Sequence, residues 1–389
     1  MSKIKISFDS PFFVGGIRLK ENVLSSIEYI PGSVMRASMA RYILMNCPLF
    51  DPAKPDSEGR YNYVYVRDES KCKNCSFFEV CNSFSDISFS FFYPEGFEIL
   101  PATARGCKYS KNHGFKDLLT FKDDMVCSVC KGENSQEAID SGSAGRMESV
   151  GGFRIGNERG QIKRISITRT AIDRYTHTAL DGTLHTIELI DQGYCYEGEI
   201  KRFEKEWLDN FESLAIGKYS SIGFGKAKII DICDKADYKE DYGEKIIEFN
   251  NNLRDEEDDK IFVPMTFQSD ARLGIEEKNI DKPLSGKEYK EIWKQLLFKD
   301  DDLFEVEKVY ADNYIYRGFD TSRRRNKREK DPLIQTAKGS VLLLSFKCTI
   351  DEALSKIKSI ESEGVGKDRK DGYGRVKFLD ELHVKGEIL

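Results

Sequence analysis

The sequence predicts an α+β fold made of two ferredoxin-like βαββαβ domains, the first of which carries a cysteine-rich insertion. Three observations support this prediction: a glycine-rich segment that occurs twice, a strand and a helix that open each half of the chain, and six cysteines crowded into the first half. The chain has 389 residues. Because that is about two to three times the usual length of one domain, two domains are expected.

The repeat is the clearest of these observations. The segment GKYSSIGFGKAKI begins at Gly217, and GKDRKDGYGRVKF begins at Gly366; the two align without a gap. Each copy follows a stretch of helical periodicity, residues 201–215 and 351–362, and leads into an alternating strand. A helix, glycine loop and strand that recur this far apart predict two related domains rather than a solenoid.

The domain boundaries follow from the elements that flank the repeat. The first domain, residues 1–232, opens with the strand-like KIKISFDSPFFVGG and a helix signal, Pro-Gly-Ser followed by VMRASMARYILM. The second, residues 261–389, opens with a strand and then a helix whose N-cap is Ser285. The acidic residues 233–260 are expected to form a linker or docking segment. Each domain therefore has the strand and helix order of a ferredoxin-like fold.

Composition limits the classes of function. The net charge of −6 argues against a protein whose whole surface binds nucleic acid, although seven basic residues cluster between Arg317 and Lys330. No apolar run approaches the ~18–20 residues of a membrane span, and the first residues lack the pattern of a signal peptide. We expect a cytoplasmic protein with no membrane partner.

The glycine loops predict contact with a phosphate backbone. A dinucleotide-binding loop follows a strand and opens a helix, which is the reverse of the order here, and the sequence contains no P-loop motif. Glycines that admit another backbone, together with flanking cations, suit a phosphodiester chain; a plain helix-to-strand turn is the alternative. The candidate residues are Gly217, Lys218, Gly223, Phe224, Gly225 and Lys226 in the first copy, and Gly366, Lys367, Gly372, Tyr373, Gly374 and Arg375 in the second. Phe224 and Tyr373 are either base-stacking platforms or packing residues beneath their loops.

These motifs resemble the RAMP superfamily of CRISPR-associated RNA-binding proteins. The segments IPGSVMRASMA, TAIDRYTHTALDGTLHTIELIDQGYCYEGEI and AKGSVLLLSF are similar to its early helix start, its central hairpin and a strand of its second domain. Within the superfamily the chain looks most like the subunit of type III-D effector complexes that caps the 5′ end of the guide RNA. The resemblance implies a non-catalytic subunit of a ribonucleoprotein complex in antiviral defence. Its partners would be CRISPR RNA, other RAMP subunits and the large subunit of the complex.

The resemblance adds further candidates for RNA contact. Gly32, Ser33 and Arg36 lie at the first helix start, where the alternative is an N-cap with a surface arginine. Arg169 and Arg174 lie in the hairpin, and Arg323, Arg324 and Arg325 lie in a basic loop that is either a phosphate clamp or a solvated charge run.

Two other functions compete with the RNA-binding subunit. His177 and His185 could serve a metal-independent endoribonuclease that processes CRISPR RNA, or they could be surface residues of the hairpin. A scaffold that binds only proteins is the third hypothesis.

The cysteines predict a structural zinc site. The candidate ligands are Cys72, Cys75, Cys81, Cys107, Cys127 and Cys130, within an insertion over residues 66–135. One four-thiolate site from the two C-x2-C pairs is one arrangement. Two sites are the other: Cys72, Cys75 and Cys81 with a further partner, and Cys107, Cys127 and Cys130 with His113. An iron–sulfur cluster fits the same spacing. Cys47, Cys195, Cys233 and Cys348 stand singly and are expected to fill apolar positions.

Overall fold

A computed structural model describes most of the chain. The described residues are 2–15, 17–20, 22–121, 126–132, 145–234, 241–253, 260–276, 284–299, 301, 303–316, 318, 330 and 332–389. Within this described part, no helix has the length and apolar character that crossing a membrane requires.

The strands and helices are short and numerous. The strands are β1 (Ser2–Phe8), β2 (Ile17–Lys20), β3 (Val23–Ser25), β4 (Ser88–Phe89), β5 (Tyr93–Pro94), β6 (Glu98–Ile99), β7 (Ala104–Cys107), β8 (Phe115–Asp117), β9 (Met147–Ser149), β10 (Phe153–Ile155), β11 (Glu158–Gly160), β12 (Arg164–Arg169), β13 (His185–Ile190), β14 (Tyr196–Lys201), β15 (Leu214–Ala215), β16 (Lys226–Asp234), β17 (Ile261–Phe267), β18 (Ala271–Glu276), β19 (Phe304–Tyr310), β20 (Asn313–Tyr316), β21 (Leu333–Thr336), β22 (Val341–Phe346), β23 (Val376–Phe378) and β24 (Glu387–Ile388). The α-helices are α1 (Gly32–Met45), α2 (Glu69–Cys72), α3 (Phe78–Ser83), α4 (Ser128–Gly132), α5 (Tyr242–Asn252), α6 (Gly286–Phe298), α7 (Ile350–Glu363) and α8 (Glu381–Lys385).

The first large sheet has the strand order β15-β16-β1-β14-β4, and β5 also pairs with β14. Strand β1 lies between β14 and β16 and is antiparallel to both. Its alternating side chains Ile4, Ile6 and Phe8 are buried, as the period of a half-buried strand requires. Helix α1 adds Met35 and Met39 to the same hydrophobic core.

The second large sheet has the order β19-β22-β17-β23 and is antiparallel throughout. All six residues of β22 are buried, which indicates that both faces of this strand are covered. Helices α6 and α7 each begin with a capping box, Ser285 with Glu288 and Thr349 with Glu352. The predicted α+β class is confirmed by these antiparallel sheets and their helices.

The helix predicted over residues 201–215 is wrong. In its place the structure has a 3-10 helix, Lys205–Asn210. Strand β14 ends at Lys201 and β15 begins at Leu214, so both ends of the predicted helix belong to sheet strands instead. The apolar residues that gave the helical pattern nevertheless face the first core, in which Phe203, Phe211 and Leu214 are buried and against which Trp207 packs.

The acidic segment 233–260 is more ordered than a linker. Residues 241–253 are described, and they contain α5, which is capped by the Asp241 side chain. Ile246 and Phe249 of this helix are buried in the second hydrophobic core. The exposed face of the helix carries the charge that suggested a linker, while its apolar face packs against the second half of the chain.

The cysteine-rich insertion packs against the C-terminus of the chain. Strand β24 extends the small sheet β24-β8-β7-β9, and Leu382 of α8 packs with Phe115 in a separate hydrophobic cluster. The buried His383 ring lies 3.0 Å from Asp117 Oδ2 and 2.8 Å from Thr266 Oγ1. These contacts join the insertion, the second sheet and the C-terminal helix.

Candidate nucleic-acid interface and metal centre

The two glycine loops have the same backbone conformation. Left-handed φ values recur at equivalent positions, which are Gly217, Tyr219, Gly223 and Gly225 in the first loop and Gly366, Asp368, Gly372 and Gly374 in the second. Each loop contains a 3-10 turn, Ser220–Ile222 or Arg369–Asp371. The sequence repeat is therefore also a structural repeat.

Most of the glycines in these loops allow close packing of backbone against backbone. A Cβ on Gly217 would overlap the carbonyl oxygen of Phe13, and one on Gly225 would overlap that of Ile216. Gly366 and Gly374 have equivalent neighbours in the second loop. In contrast, nothing lies within 4 Å of the Cβ position of Gly223, at the apex of the first loop.

The first glycine loop presents cations to solvent. Lys218 and Lys226 are exposed, and neither side chain forms an ion pair with another residue of the described part of the chain. Arg41 of α1 lies beside them, and its guanidinium donates to Ser220 Oγ at 2.8 Å. The sequence alone did not single out Arg41, because it lies in a helix and belongs to no motif of its own.

The hairpin of β12 and β13 packs against this loop at its base. The guanidinium carbon of Arg169, at the end of β12, lies 5.6 Å from the ring centre of Phe224. Phe224 and Tyr219 pack onto a small cluster with Ile187 of β13. The structure therefore brings together Arg169 and the first glycine loop, and it gives Phe224 a packing role on one side of its ring.

The connection between β12 and β13, residues 170–184, forms an exposed arm. Tyr175 at its end is 93% exposed, and Ile172 and Leu184 are also largely exposed. Arg174 lies on the same arm. Both candidate histidines are exposed there too: His177 has a left-handed φ of 55°, and His185 Nδ1 lies 3.0 Å from the carbonyl oxygen of Thr183.

The second glycine loop is packed against the first half of the chain. A Cβ on Gly372 would lie 2.6 Å from the carbonyl oxygen of Phe89. Tyr373 is only 4% exposed, and its ring contacts Phe91 edge-on at 5.1 Å. The buried Arg272 guanidinium covers the same ring at 3.8 Å. Of the two roles predicted for Tyr373, these contacts favour packing beneath the loop.

The first helix start forms part of the same contact. The guanidinium of Arg36 donates to Asp371 Oδ1 at 2.6 Å and to backbone carbonyls on both sides, including that of Ile87 at 2.7 Å. A Cβ on Gly32 would overlap the carbonyl oxygen of Asp371 in the second glycine loop, so a side chain there would separate the two halves. Ser33 forms a side-chain hydrogen bond with Tyr373. The structure therefore gives Gly32, Ser33 and Arg36 partners within the protein.

A cleft of about 670 Å³ lies between the two halves. Arg375 of the second glycine loop lines it, and its guanidinium has no hydrogen-bond partner among the described residues. Burial lowers the pKa of Arg375, an effect that the charge of Glu199 opposes. The other charged side chains that line the cleft are Lys3, Glu197, Glu199, Lys201, Lys358, Glu361 and Lys377. Lys367 is not in the cleft, and its ammonium lies 3.3 Å from the carbonyl oxygen of Gly274. The predicted basic loop with Arg323, Arg324 and Arg325 lies outside the described residues.

Four of the predicted and alternative metal ligands come together in the insertion. The ligand atoms of Cys107, His113, Cys127 and Cys130 all lie within 4.8 Å of one another. Cys107 Sγ is 3.6 Å from Cys130 Sγ, and Cys130 Sγ is 3.3 Å from His113 Nδ1. Tetrahedral Zn²⁺ with bonds of about 2.3 Å to sulfur and about 2.0 Å to nitrogen sets ligand separations of this size.

The surroundings of Cys107 favour its thiolate, whereas burial and the neighbouring Cys107 and Cys127 thiols raise the pKa of Cys130 to about 12. Burial alone would raise the pKa of Cys107, but hydrogen bonds from the backbone amides of Tyr109 and Ser110 hold it below the ordinary value. The amide of Tyr109 lies 3.4 Å from the sulfur. The residues present therefore fit a zinc ion held by three thiolates and one imidazole.

The other predicted ligands lie elsewhere. Cys72, Cys75 and Cys81 line a small cavity beneath α1, together with Cys47. Burial and the neighbouring thiols raise the pKa of Cys81 to about 12. The single site built from both C-x2-C pairs is therefore not the arrangement in this structure, because the two pairs lie at different places. Cys47 is also not the isolated apolar filler that its sequence context predicted.

Comparison with known proteins identifies one family. A RAMP superfamily model matches residues 5–228. No curated protein matches the sequence. Among solved structures, a chain of the type III-B Cmr-beta complex bound to cognate target RNA aligns at 14% identity with a TM-score of 0.43, covering 97% of this chain and 96% of that chain. A chain of the same complex bound to cognate target RNA and AMPPnP aligns at 12% identity with a TM-score of 0.41, covering 93% of this chain and 89% of that chain.

Proposed function

Because the chain belongs to the RAMP superfamily, we propose that it is a non-catalytic RNA-binding subunit of a cytoplasmic type III CRISPR effector complex. In this proposal it holds the 5′ repeat-derived tag of the CRISPR RNA, as the resemblance to the type III-D capping subunit implies. Other RAMP subunits and the large subunit of the complex are its proposed protein partners.

One observation carries the proposal: the first glycine loop exposes two cations that have no ion-pair partner in the described part of the chain. Lys218 and Lys226 flank a loop whose apex, at Gly223, has open space around it. Lysines that have no carboxylate partner are available to phosphate groups. Arg41 and Arg169 border the same surface, which we call the first-loop face.

We propose that the two glycine loops have different roles. The first contacts RNA directly, with Gly217, Gly223, Phe224 and Gly225 setting its shape. The second holds the two halves together, with Gly372 and Tyr373 packed against the first half near Gly32, Ser33 and Arg36, while Gly366, Lys367 and Gly374 pack within the second half. Arg375 is the member of the second loop that faces a cleft, and there its guanidinium is available to a phosphate group. Arg174 on the arm, and Arg323, Arg324 and Arg325 in the basic loop, stay predicted RNA contacts.

The two halves correspond to the two proposed domains. The strand order β19-β22-β17-β23, with α6 and α7 as the intervening helices, supports a ferredoxin-like domain over residues 261–389. The first sheet has the corresponding order around β1 and supports a second such domain over residues 1–232, with a 3-10 helix in place of its last helix.

We propose zinc as the metal of the insertion. Cys107, His113, Cys127 and Cys130 would hold the ion, which would cross-link the segment of β7 to that of α4. With four protein ligands the ion has no open position for a substrate, so its role is structural. Cys72, Cys75 and Cys81 stay predicted ligands at a different place, where three thiolates leave one position to be filled.

Equilibrium binding to single-stranded RNA tests the proposed function. The purified chain is titrated against a labelled RNA that carries the repeat-derived tag, at several salt concentrations. We expect affinity to fall with salt, and the Lys218→Ala, Lys226→Ala double variant to bind more weakly. For this variant, the slope of log K against the logarithm of the salt concentration should be shallower by about 0.7 for each phosphate that is no longer neutralised.

A matched control removes the same charge elsewhere. Lys54 and Lys287 are exposed, and the Lys54→Ala, Lys287→Ala double variant should bind as the unaltered chain does. Equal weakening in both double variants would show that only net charge matters, and it would remove the first-loop face from the proposal. Cleavage of the RNA by the unaltered chain but not by a His177→Ala or His185→Ala variant would instead establish the endoribonuclease.

A further inference from the structure

We propose that Cys47, Cys72, Cys75 and Cys81 form a second zinc centre, separate from that of Cys107, His113, Cys127 and Cys130. Cys47 supplies the fourth ligand that the C-x2-C-x5-C run lacks. The two centres would sit in different parts of the first half of the chain, one beneath α1 and one beside the C-terminus.

The four cysteines share one cavity. All of them line it, and the remaining lining is almost entirely apolar or aromatic, including Ile43, Val64 and Phe77. The four thiols are thus the main polar groups around a space closed off by hydrophobic side chains. Such a site suits a soft cation bound by thiolates, because no competing oxygen ligands surround it.

The local backbone places the ligands as a zinc knuckle does. Cys72 ends α2, and the amide of Cys75 donates to the carbonyl of Cys72 at 2.8 Å, which closes a tight turn between the two. Cys81 follows on α3, and Cys47 comes just after the end of α1, where its amide donates to the carbonyl of Leu44. Two ligands from one turn and two from neighbouring helix segments are a common way to complete a four-cysteine site.

The size of the cavity favours a single ion. Its volume is about 20 Å³, and a space of about 10–15 Å³ is enough for one water-sized sphere. An iron–sulfur cluster of several atoms would not fit. Four thiolates and one Zn²⁺ carry a net negative charge, and the cationic Arg67 also lines the cavity, so the protein supplies a compensating charge at this place.

Binding would require the four sulfurs to move together. In the described residues, the Cys107 group is the one whose ligand atoms lie within 4.8 Å of one another. Sulfurs around tetrahedral Zn²⁺ lie about 3.8 Å apart, as bonds of about 2.3 Å require. The four thiols of the second set would have to reach this separation by turning into the cavity that they share.

A structural ion would add a cross-link to a segment that has little regular secondary structure. Between Asn46 and Ile87 the regular structure consists of α2, with four residues, and α3, with six. Val80 of α3 is fully buried in the first core, yet most of the segment is irregular. One ion bound by Cys47 would connect the end of α1, which also carries Arg36 and Arg41, to this segment.

Metal content of the full chain tests the proposal. Inductively coupled plasma mass spectrometry of the protein, purified with zinc and without chelator, should find two zinc ions per chain. Cys47→Ser and Cys130→Ser should each reduce this to one, and Cys195→Ser, at a cysteine assigned to neither centre, should leave two. Two zinc ions in Cys47→Ser, or one ion in both the unaltered chain and Cys47→Ser, would overturn the proposal.

Two further measurements guard against a variant that fails to fold. Cobalt can replace zinc, and Co²⁺ bound to Cys130→Ser should absorb more strongly in its sulfur-to-metal bands than Co²⁺ bound to Cys47→Ser, since four thiolates would bind it rather than three. In the unaltered zinc protein, alkylation should spare Cys47 together with Cys72, Cys75 and Cys81 until a chelator is added. Alkylation of Cys47 as fast as Cys195, or disulfides among the four, would contradict the second centre.

Discussion

Gly223 and Gly225 stand two positions apart in the first glycine loop, and the structure requires glycine at them for different reasons. Both have left-handed φ, 95° at Gly223 and 71° at Gly225. A side chain at Gly225 would collide with the backbone of Ile216, whereas a side chain at Gly223 would point into open space. In the first loop the motif G-F-G therefore combines a packing glycine with an apex glycine, whereas the equivalent Gly372 of the second loop is packed against Phe89.

The two alanine variants should differ in stability. Gly223→Ala should cost about 1–2 kcal/mol, the usual penalty for a left-handed residue with a Cβ. Gly225→Ala adds a backbone clash and should cost more than about 3 kcal/mol. Denaturant unfolding of the two variants measures this difference. Equal losses would show that the loop relaxes around the added Cβ.

Variants at Arg36 distinguish a structural role of this residue from a role in RNA contact. Its guanidinium has acceptors on Asp371 and on the backbone of Ile87, so Arg36→Ala should reduce the free energy of unfolding by about 2–4 kcal/mol, because charged acceptors lose their donor. Arg36→Lys cannot reach all of these acceptors and should recover only part of the loss. We expect RNA affinity, measured where both variants are folded, to change little. A large loss of affinity with unchanged stability would return Arg36 to the RNA-contacting residues.

At the scale of elements, the arm between β12 and β13 carries exposed apolar side chains that the fold does not use. Tyr175 is 93% exposed and Ile172 is 55% exposed, while the strands at the base of the arm are paired from Arg164 to Arg169. Large apolar residues on a protruding arm mark a contact surface. We therefore expect the arm to contact a partner rather than to stabilise the core.

Shortening the arm tests this assignment. Replacement of residues 172–181 by a short glycine turn should leave the melting temperature nearly unchanged, because the removed side chains are exposed. RNA retention or assembly with neighbouring subunits should weaken. The double variant Tyr175→Ser, Ile172→Ser provides a milder control for the same surface. Loss of folding in both would mean that the arm stabilises the chain.

Local sequence signals predicted many of the helices and strands correctly. The wrong predictions concern residues whose structure depends on contacts with distant parts of the sequence. Ser285 was predicted as an N-cap because serine precedes an amphipathic run, and the structure forms a full capping box there. The helix over 201–215 had an equally good period, but its two ends pair in sheet strands and the residues between them form only a short 3-10 helix. Likewise, Cys47 looked isolated because the cysteines that share its cavity are 25 residues or more away in sequence. Hydrophobic periodicity therefore predicts which residues are buried more reliably than it predicts the backbone conformation of those residues.

Across the whole chain, the C-terminal segment contacts residues that lie far from it in sequence. His383 of α8 is fully buried between Asp117 of the insertion and Thr266 of β17. Strand β24 adds to the sheet of the insertion. Contacts between residues 117 and 383 leave no pattern along a single sequence, so this junction could not be predicted.

The pair of His383 and Asp117 at this junction should make the free energy of unfolding depend on pH. Burial alone would lower the pKa of His383, but the charge of Asp117 and its hydrogen bond raise it above the ordinary value. The folded state thus favours the protonated ring. Its stabilisation is complete below the ordinary pKa of about 6.5 and is lost as pH rises through the raised pKa of the folded chain.

Unfolding at a series of pH values measures this effect. The free energy of unfolding should fall from about pH 6.5 upward, and Asp117→Asn should flatten the fall while lowering stability at acid pH. His177 is exposed, and His177→Gln should leave the pH profile unchanged. A profile that is the same with and without Asp117 would rule out this pair as its source.

We propose that the first glycine loop contacts RNA, whereas the second packs against the first half of the chain. Ultraviolet cross-linking of the assembled effector complex, followed by mass spectrometry of the peptides, distinguishes the two loops because both carry an aromatic residue at the equivalent position. We expect RNA adducts at Tyr219 or Phe224, and at Tyr175 of the arm, with none at Tyr373. Adducts at Tyr373 and none between Gly217 and Lys226 would contradict the claim.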